Sequence, residues 1–134
     1  MPAEPTQEDR HLLIGVRGEH EAEMFAVKRG LKILTRNYRK KYGEIDLVAK
    51  NDGIIHFIEV KTSIFHTNTA FPAEIRVDKV KQSKFIRTCE TYLQEVIRDD
   101  GETPWQIDVI AVTLNPDLSL KFINSIENAV FGKI

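Results

Sequence analysis

Leu13, Val16, His20, Met24 and Val27 recur at spacings of three and four, the period of one helix face, and predict a helix over about 9–29. Gly30 fits its stop. Leu31–Tyr38 reads as a strand with polar Lys32, Thr35 and Arg36. Ile45–Lys50 and Ile54–Lys61 read as two more strands, joined by Asn51-Asp52-Gly53. Asp-Gly between two apolar runs is a strong hairpin signal, because both turn residues must take positive φ. Thr62–Ala73 reads as a loop. A long helix is expected over 78–98, with Ile86, Cys89, Leu93 and Val96 as its apolar stripe. Trp105–Leu114 suits a buried strand, Asn115-Pro116-Asp117 a turn, Leu118–Ile123 a last strand, and the tail to Ile134 should pack on the body. Helix, three strands, helix, strand, strand is an α/β order, most simply a sheet with helices on its faces. The third and fourth strands are separated by a helix, which allows them to run parallel.

The 134 residues suit one domain, 1–134, with 1–8 expected to be disordered. Cys89 is the one cysteine, so no intrachain disulfide can form, and no Cys/His set has zinc spacing. No apolar run is long enough to span a membrane, and the polar start carries no targeting signal, so a cytoplasmic setting is expected. The net charge is −1, whereas nucleic-acid binders usually carry a basic excess. The cations are clustered, however: Arg36, Arg39, Lys40 and Lys41 form one group, and Arg76, Lys79, Lys81 and Lys84 another. Either group can be a solvated face or a nucleic-acid contact.

The hairpin brings chemistry together. Pairing Asn51 with Ile54 and counting back sets Asp46 opposite Glu59, and Glu44 opposite Lys61. Residues two apart share a strand face, so these four gather on one face, with Ile45, Leu47, Ala49, Ile58 and Val60 on the other. Opposed carboxylates repel. A hard divalent cation would relieve them, could polarise a phosphoryl oxygen, and would leave Lys61 to stabilise charge on a phosphate. The plainer alternative is Lys61 bridging Glu59 or Glu44 on an exposed sheet edge. Glu19 shares a helical stripe with Gly15, Gly18, Ala22 and Ala26, whose small size allows close approach. A carboxylate there needs a metal or a lysine as partner. Gln82 lies on the inward stripe of the second helix, beside Lys81, where it could bind water or phosphate, or cap a loop carbonyl. His56 falls on an apolar face, and Asp108 in an apolar strand suits pairing with a basic side chain.

Gly43-Glu44-Ile45-Asp46-Leu47-Val48-Ala49 followed by Phe57-Ile58-Glu59-Val60-Lys61-Thr62 resembles the YraN-like family of small endonucleases. Gly15-x-x-Gly18-Glu19-x-x-Ala22, Arg36-Asn37, Lys81-Gln82, Ile107-Asp108-Val109 and Ile126-x-Asn128-Ala129-x-Phe131 continue the likeness over about 13–131. That family is placed in the PD-(D/E)XK nuclease superfamily, with resolvases of Holliday junctions as relatives. The resemblance implies a restriction-endonuclease-like α-β-β-β-α-β core with a mixed central sheet flanked by helices. It also implies DNA cleavage with Mg²⁺ or Mn²⁺. Asp46, Glu59 and Glu19 would be metal ligands, with Lys61 and Gln82 completing the catalytic set. Arg36, Arg39, Lys40, Lys41, Lys81 and Lys84 are the candidate nucleic-acid contacts. Junction-resolving relatives act as dimers, so a homodimer is among the arrangements implied.

The leading expectation is an endonuclease acting on branched or single-stranded DNA. Its rivals are a non-catalytic nucleic-acid-binding module that keeps the nuclease fold, and a surface network of charges with no ligand.

Overall fold

The computed structural model describes residues 3–66, 79–99 and 101–129. The chain forms helix α1 (Gln7–Lys28), strands β1 (Lys32–Lys40), β2 (Gly43–Asn51) and β3 (Ile54–Ile64), and helix α2 (Lys79–Tyr92) continued by a π-helical turn (Leu93–Ile97). Strands β4 (Trp105–Leu114) and β5 (Leu120–Ile126) follow. The five strands make one sheet in the order β1-β2-β3-β4-β5. β3 and β4 are parallel, and the other neighbours are antiparallel. This is the mixed α/β core that the element order implies. No described helix is long and apolar enough to cross a membrane.

α1 begins inside the segment expected to be loose. Thr6 and Asp9 form a capping box: the Asp9 amide donates to Thr6 Oγ1 at 3.0 Å and the Thr6 amide to Asp9 Oδ2 at 2.9 Å. Reciprocal caps of this kind satisfy donors that a helix start leaves open. The apolar residues that reveal the helix are not those that bury it. Leu13, Val16, Met24 and Val27 are exposed, whereas Gly18, Ala22 and Ala26 face the sheet. Small residues there let the helix lie close: a Cβ on Gly18 would collide with the Thr62 side chain of β3.

The core has two halves. Ala22 and Ala26 pack on Leu47, Ala49, Ile58, Ile110, Val112 and Leu114. On the other face Cys89 and Tyr92 pack on Ile45, Val48, Ile55, Phe57 and Ile107. The Tyr92 ring meets Tyr38 and Phe57 edge-on, with centroids 5.0 and 5.7 Å away. Its hydroxyl shares a 2.9 Å hydrogen bond with Thr35 Oγ1. Val96 leaves the expected α2 stripe and is exposed, while Ile97 packs on the core in its place. The π turn adds a residue per turn and so rotates the stripe.

The hairpin turn has Asp52 at φ 50° and Gly53 at φ 78°, as a two-residue loop of the expected kind requires. β3 runs three residues further than expected, to Ile64. β5 starts two residues late, because Asp117 Oδ1 accepts from the Ser119 amide at 3.0 Å and holds the turn through Ser119. Most of the Thr62–Ala73 loop, Arg76 and the tail after Ala129 lie outside the described residues. Ala129 itself is buried, and its amide donates to the Ile107 carbonyl.

Candidate metal and phosphate site

The site lies where the sheet splits. β2 pairs with β3 from Asn51↔Ile54 to Leu47↔Ile58, in the register the hairpin predicts, and there the pairing stops. β2 continues beside β1 to Gly43, and β3 continues beside β4 to Ile64. Asp46 is the first residue past the split. Its Oδ2 accepts from the Val60 amide at 2.8 Å, taking the place a backbone carbonyl would hold in a continued ladder. The expected cross-strand pairs Asp46–Glu59 and Glu44–Lys61 are therefore not formed.

The backbone explains the change. The β1–β2 register pairs Arg36 with Leu47 and Tyr38 with Ile45, leaving Asn37 across from Asp46. Asn37 has φ 52°, a left-handed conformation that asparagine tolerates better than most residues. The strand rolls over at this point. Ile45 and Val48 face α2, whereas Leu47 and Ala49 face α1. Ile45 thus leaves the face expected to carry it with Leu47, Ala49, Ile58 and Val60. β3 stays regular: Ile58 and Val60 face α1, so Glu59 and Lys61 point to the opposite side.

Asp46 and Glu19 line a common cleft of about 290 Å³, with His20, Glu23, Arg36 and Asn37. α1 delivers Glu19 because Gly18, the preceding residue, rests on Thr62. Glu23, one turn further along the helix, holds the Arg36 guanidinium in a two-pronged grip, Nε on Oε1 and a second nitrogen on Oε2 at 3.0 Å. That bond holds the Glu23 carboxyl below its ordinary range. Sequence reasoning missed Glu23, and it met Asn37 only within the Arg36-Asn37 likeness and not as a residue of the cleft. The signal for Glu23 was its i+4 spacing from Glu19.

Burial pushes the Asp46 carboxyl up to about 7; the Val60 amide opposes this, and the charges of Glu19, Glu44 and Glu59 add to it. Asp46 thus sits half-buried against the charges of three other carboxylates. The nearby cations are partly committed. Lys61 Nζ bridges Glu59 Oε1 at 2.9 Å, the plainer arrangement anticipated for an E-x-K strand. Arg39 pairs with Glu44 at 3.1 Å and Lys40 with Glu95 at 2.6 Å. Gln82 is half-buried in the first described turn of α2, and Lys81 beside it is exposed.

Among the described residues no three His, Cys, Asp or Glu side chains converge closely enough to enclose a metal ion as they stand. The donor chemistry still suits a hard cation of the Mg²⁺ type, which needs only one or two carboxylates and keeps several waters. Asp46 Oδ1 accepts no hydrogen bond among the described residues, and the surrounding excess of negative charge favours binding of a positive charge, whether a proton or a metal cation.

His56 and Asp108 lie apart from this site. His56 Nδ1 and Asp108 Oδ2 are 2.6 Å apart, and Asp108 Oδ1 accepts from Gln106 Nε2 at 2.8 Å and the Asn128 amide at 2.9 Å. This is the basic partner that an aspartate in an apolar strand requires.

A mixed sheet with a helix on each face, parting at the strands that carry Asp46 and Glu59-x-Lys61, defines a restriction-endonuclease-like core. The chain belongs to the uncharacterised protein family UPF0102, the YraN-like family of the PD-(D/E)XK group, whose family model matches residues 18–112. It is 34% identical over 117 residues to a UPF0102 protein of Campylobacter fetus, covering 87% of this chain and 96% of the relative. It is 42% identical over 101 residues to a UPF0102 protein of Campylobacter jejuni, covering 75% and 83%. A UPF0102 protein of Nitratiruptor is 37% identical over 103 residues, covering 77% and 85%.

Proposed function

We propose that the protein is a metal-dependent endonuclease that hydrolyses phosphodiester bonds of DNA, branched or single-stranded. The observation that carries this reading is Asp46. A half-buried carboxylate is fixed by a backbone amide in the gap between two parting strands and loaded with repulsion from Glu19, Glu44 and Glu59. Such an arrangement is costly without a ligand, and perturbed carboxylates in clefts are candidate functional groups.

Asp46 and Glu19, which line one cleft, would hold Mg²⁺ or Mn²⁺, and Glu59 would have to reach the ion from the other side of the sheet through the gap between the parting strands. A bound cation of this kind supplies Lewis-acid polarisation of a phosphoryl oxygen and makes water more acidic. The Val60 amide fixes the orientation of the Asp46 carboxylate, so one oxygen stays presented to the gap. Lys61 shares a strand face with Glu59 and needs only to turn from its carboxylate to bring an ammonium to a phosphate oxygen. Gln82 would orient the phosphate or the attacking water from α2.

The second reading is a nucleic-acid-binding module without turnover. The Lys61–Glu59 bridge favours it, since a lysine held by its own site carboxylate is not aimed at substrate.

Purified protein incubated with single-stranded, duplex and four-way-junction DNA in Mg²⁺ or Mn²⁺ separates the two. Cleavage lost in both Asp46→Asn and Lys61→Ala supports the enzyme. Binding without cleavage in either metal supports the module, and cleavage that persists in Asp46→Asn points to a contaminant.

A further inference from the structure

The turn between β1 and β2 is clamped along one flank of α2. A Cβ on Gly43 would come within 2.5 Å of Thr88 Oγ1 and 3.2 Å of the Lys84 carbonyl oxygen, so only glycine allows this approach. The Tyr42 hydroxyl shares a 2.5 Å hydrogen bond with Thr91 Oγ1. The Arg87 guanidinium lies over the Tyr42 ring, 3.9 Å from its centroid. Lys40 pairs with Glu95 at the far end of the flank. These contacts fix residues 40–43 against the helix.

The seam carries Lys41, Lys84 and Arg87, all exposed. None of them makes an ion pair with a carboxylate among the described residues. They differ in this from Arg36, Arg39 and Lys40, which face Glu23, Glu44 and Glu95. Arg87 is not in either sequence cluster and is brought in by its stacking on Tyr42. Stacking over an aromatic face holds a guanidinium in place while leaving its N–H groups to an external acceptor.

We infer that Lys41, Lys84 and Arg87 form a docking ridge for the backbone phosphates of nucleic acid, serving the cleft at Asp46. The inference rests on the nuclease reading for its place relative to the cleft. From Gly43 to Asp46 is three strand residues, about 10 Å at roughly 3.3 Å each. The ridge therefore meets the backbone within a few phosphates of the one at Asp46. Point cations read phosphates and not base edges, so the contact is independent of sequence. An anionic lipid surface is disfavoured, because no exposed large hydrophobic side chain lies on 40–43 or 84–91, and surface-bound helices need an apolar face to insert.

The test is a triple variant, Lys41→Gln with Lys84→Gln and Arg87→Gln, compared with wild type by fluorescence anisotropy. The probes are labelled duplex and single-stranded DNA of two unrelated sequences, titrated in Ca²⁺ over a range of salt. The triple variant should bind at least about tenfold more weakly near physiological salt, equally for both sequences. Its slope of log affinity against log salt should fall by two to three, about one per lost phosphate contact. Its thermal midpoint should fall by no more than a few degrees, the loss of the Arg87–Tyr42 stack, which excludes misfolding. A wild-type slope retained in the triple variant overturns the ridge. So does a wild type that binds no DNA, or one that binds phosphatidylserine vesicles in preference to DNA. Cleavage is read in parallel with Mg²⁺ and Mn²⁺. A ridge-dependent slope with no cleavage in either metal removes the nuclease reading and leaves the ridge standing. Cleavage with a ridge-independent slope does the reverse.

Discussion

The carboxylate of Asp46 accepts a hydrogen bond from the backbone amide of Val60 at 2.8 Å, one step past the last ladder pair between their strands. A side chain thus completes a backbone pairing that the split sheet cannot supply. The same bond keeps a negative charge where Glu19, Glu44 and Glu59 oppose it.

This tension makes stability depend on pH. Burial and its neighbours raise the Asp46 carboxyl from 3.8 to about 7 in the folded chain. The folded state then binds more protons than the unfolded state between those values. Asp46 accordingly costs nothing below pH 4, and its cost grows as pH rises through 7. Each unit is worth about 1.4 kcal/mol, so the total is on the order of a few kcal/mol. Asp46→Asn keeps an acceptor for Val60 and removes the charge. Denaturant melts in EDTA should show it more stable than wild type at pH 8 and equal at pH 4. Asp46→Ala should gain less, since it strands the Val60 amide at a cost of about 1–3 kcal/mol. An Asn variant no more stable at pH 8 would remove the strain from the account.

A proton and a cation compete for the same carboxylate. Mn²⁺ affinity, measured by titration calorimetry, should fall about tenfold between pH 8 and pH 6, because roughly nine-tenths of Asp46 is protonated at the lower pH if it titrates near 7. Metal should also raise the thermal midpoint of the wild type and leave Asp46→Asn unmoved. Affinity flat across this range would mean that the ion binds elsewhere.

Gly18→Ala should be destabilising, although Gly→Ala in a helix interior ordinarily gains up to about 1 kcal/mol. The added methyl meets Thr62, and overpacking costs about 1–3 kcal/mol. Because Glu19 is the next residue, Mn²⁺ affinity should fall too. Thr62→Ala in the same chain should restore most of both losses. A neutral Gly18→Ala would show that α1 does not approach β3 this closely.

Asp108→Ala removes the acceptor for His56, Gln106 and the Asn128 amide. Breaking a buried pair of this kind costs about 3–5 kcal/mol. The variant should lose that much stability in urea melts while keeping wild-type Mn²⁺ affinity at a temperature where it is folded. A loss of metal affinity in the folded variant would tie this network to the site.

Much of the fold was legible because the signals were local. Asp52-Gly53 fixed the hairpin register, and Gly18, Ala22 and Ala26 marked a face built for close contact, whereas Gly15, expected on the same stripe, has open space beside it. What was not legible depended on where pairing ends. Counting residues extends a ladder indefinitely, whereas the sheet parts after Leu47 and Ile58, so Asp46 meets an amide and not Glu59. Strict alternation also cannot foresee the roll at Asn37, which sends Ile45 and Leu47 to opposite faces. The charge clusters were visible, but not their partners: Glu23 reaches Arg36 from the preceding helix, and Glu95 reaches Lys40 from the turn that continues the second helix, far off in sequence. Arg87 gave no signal, since only packing places it on Tyr42.

The central claim is that Asp46 anchors a metal-dependent cut in DNA. The direct measurement is the rate of cleavage of a labelled four-way junction against Mn²⁺ concentration, for wild type and Asp46→Asn prepared in parallel. The expected result is a saturable, EDTA-reversible rate in wild type that drops at least about a hundredfold in Asp46→Asn. Equal rates in the two proteins, or no metal-dependent cleavage by wild type on junction, duplex or single strand, would contradict it.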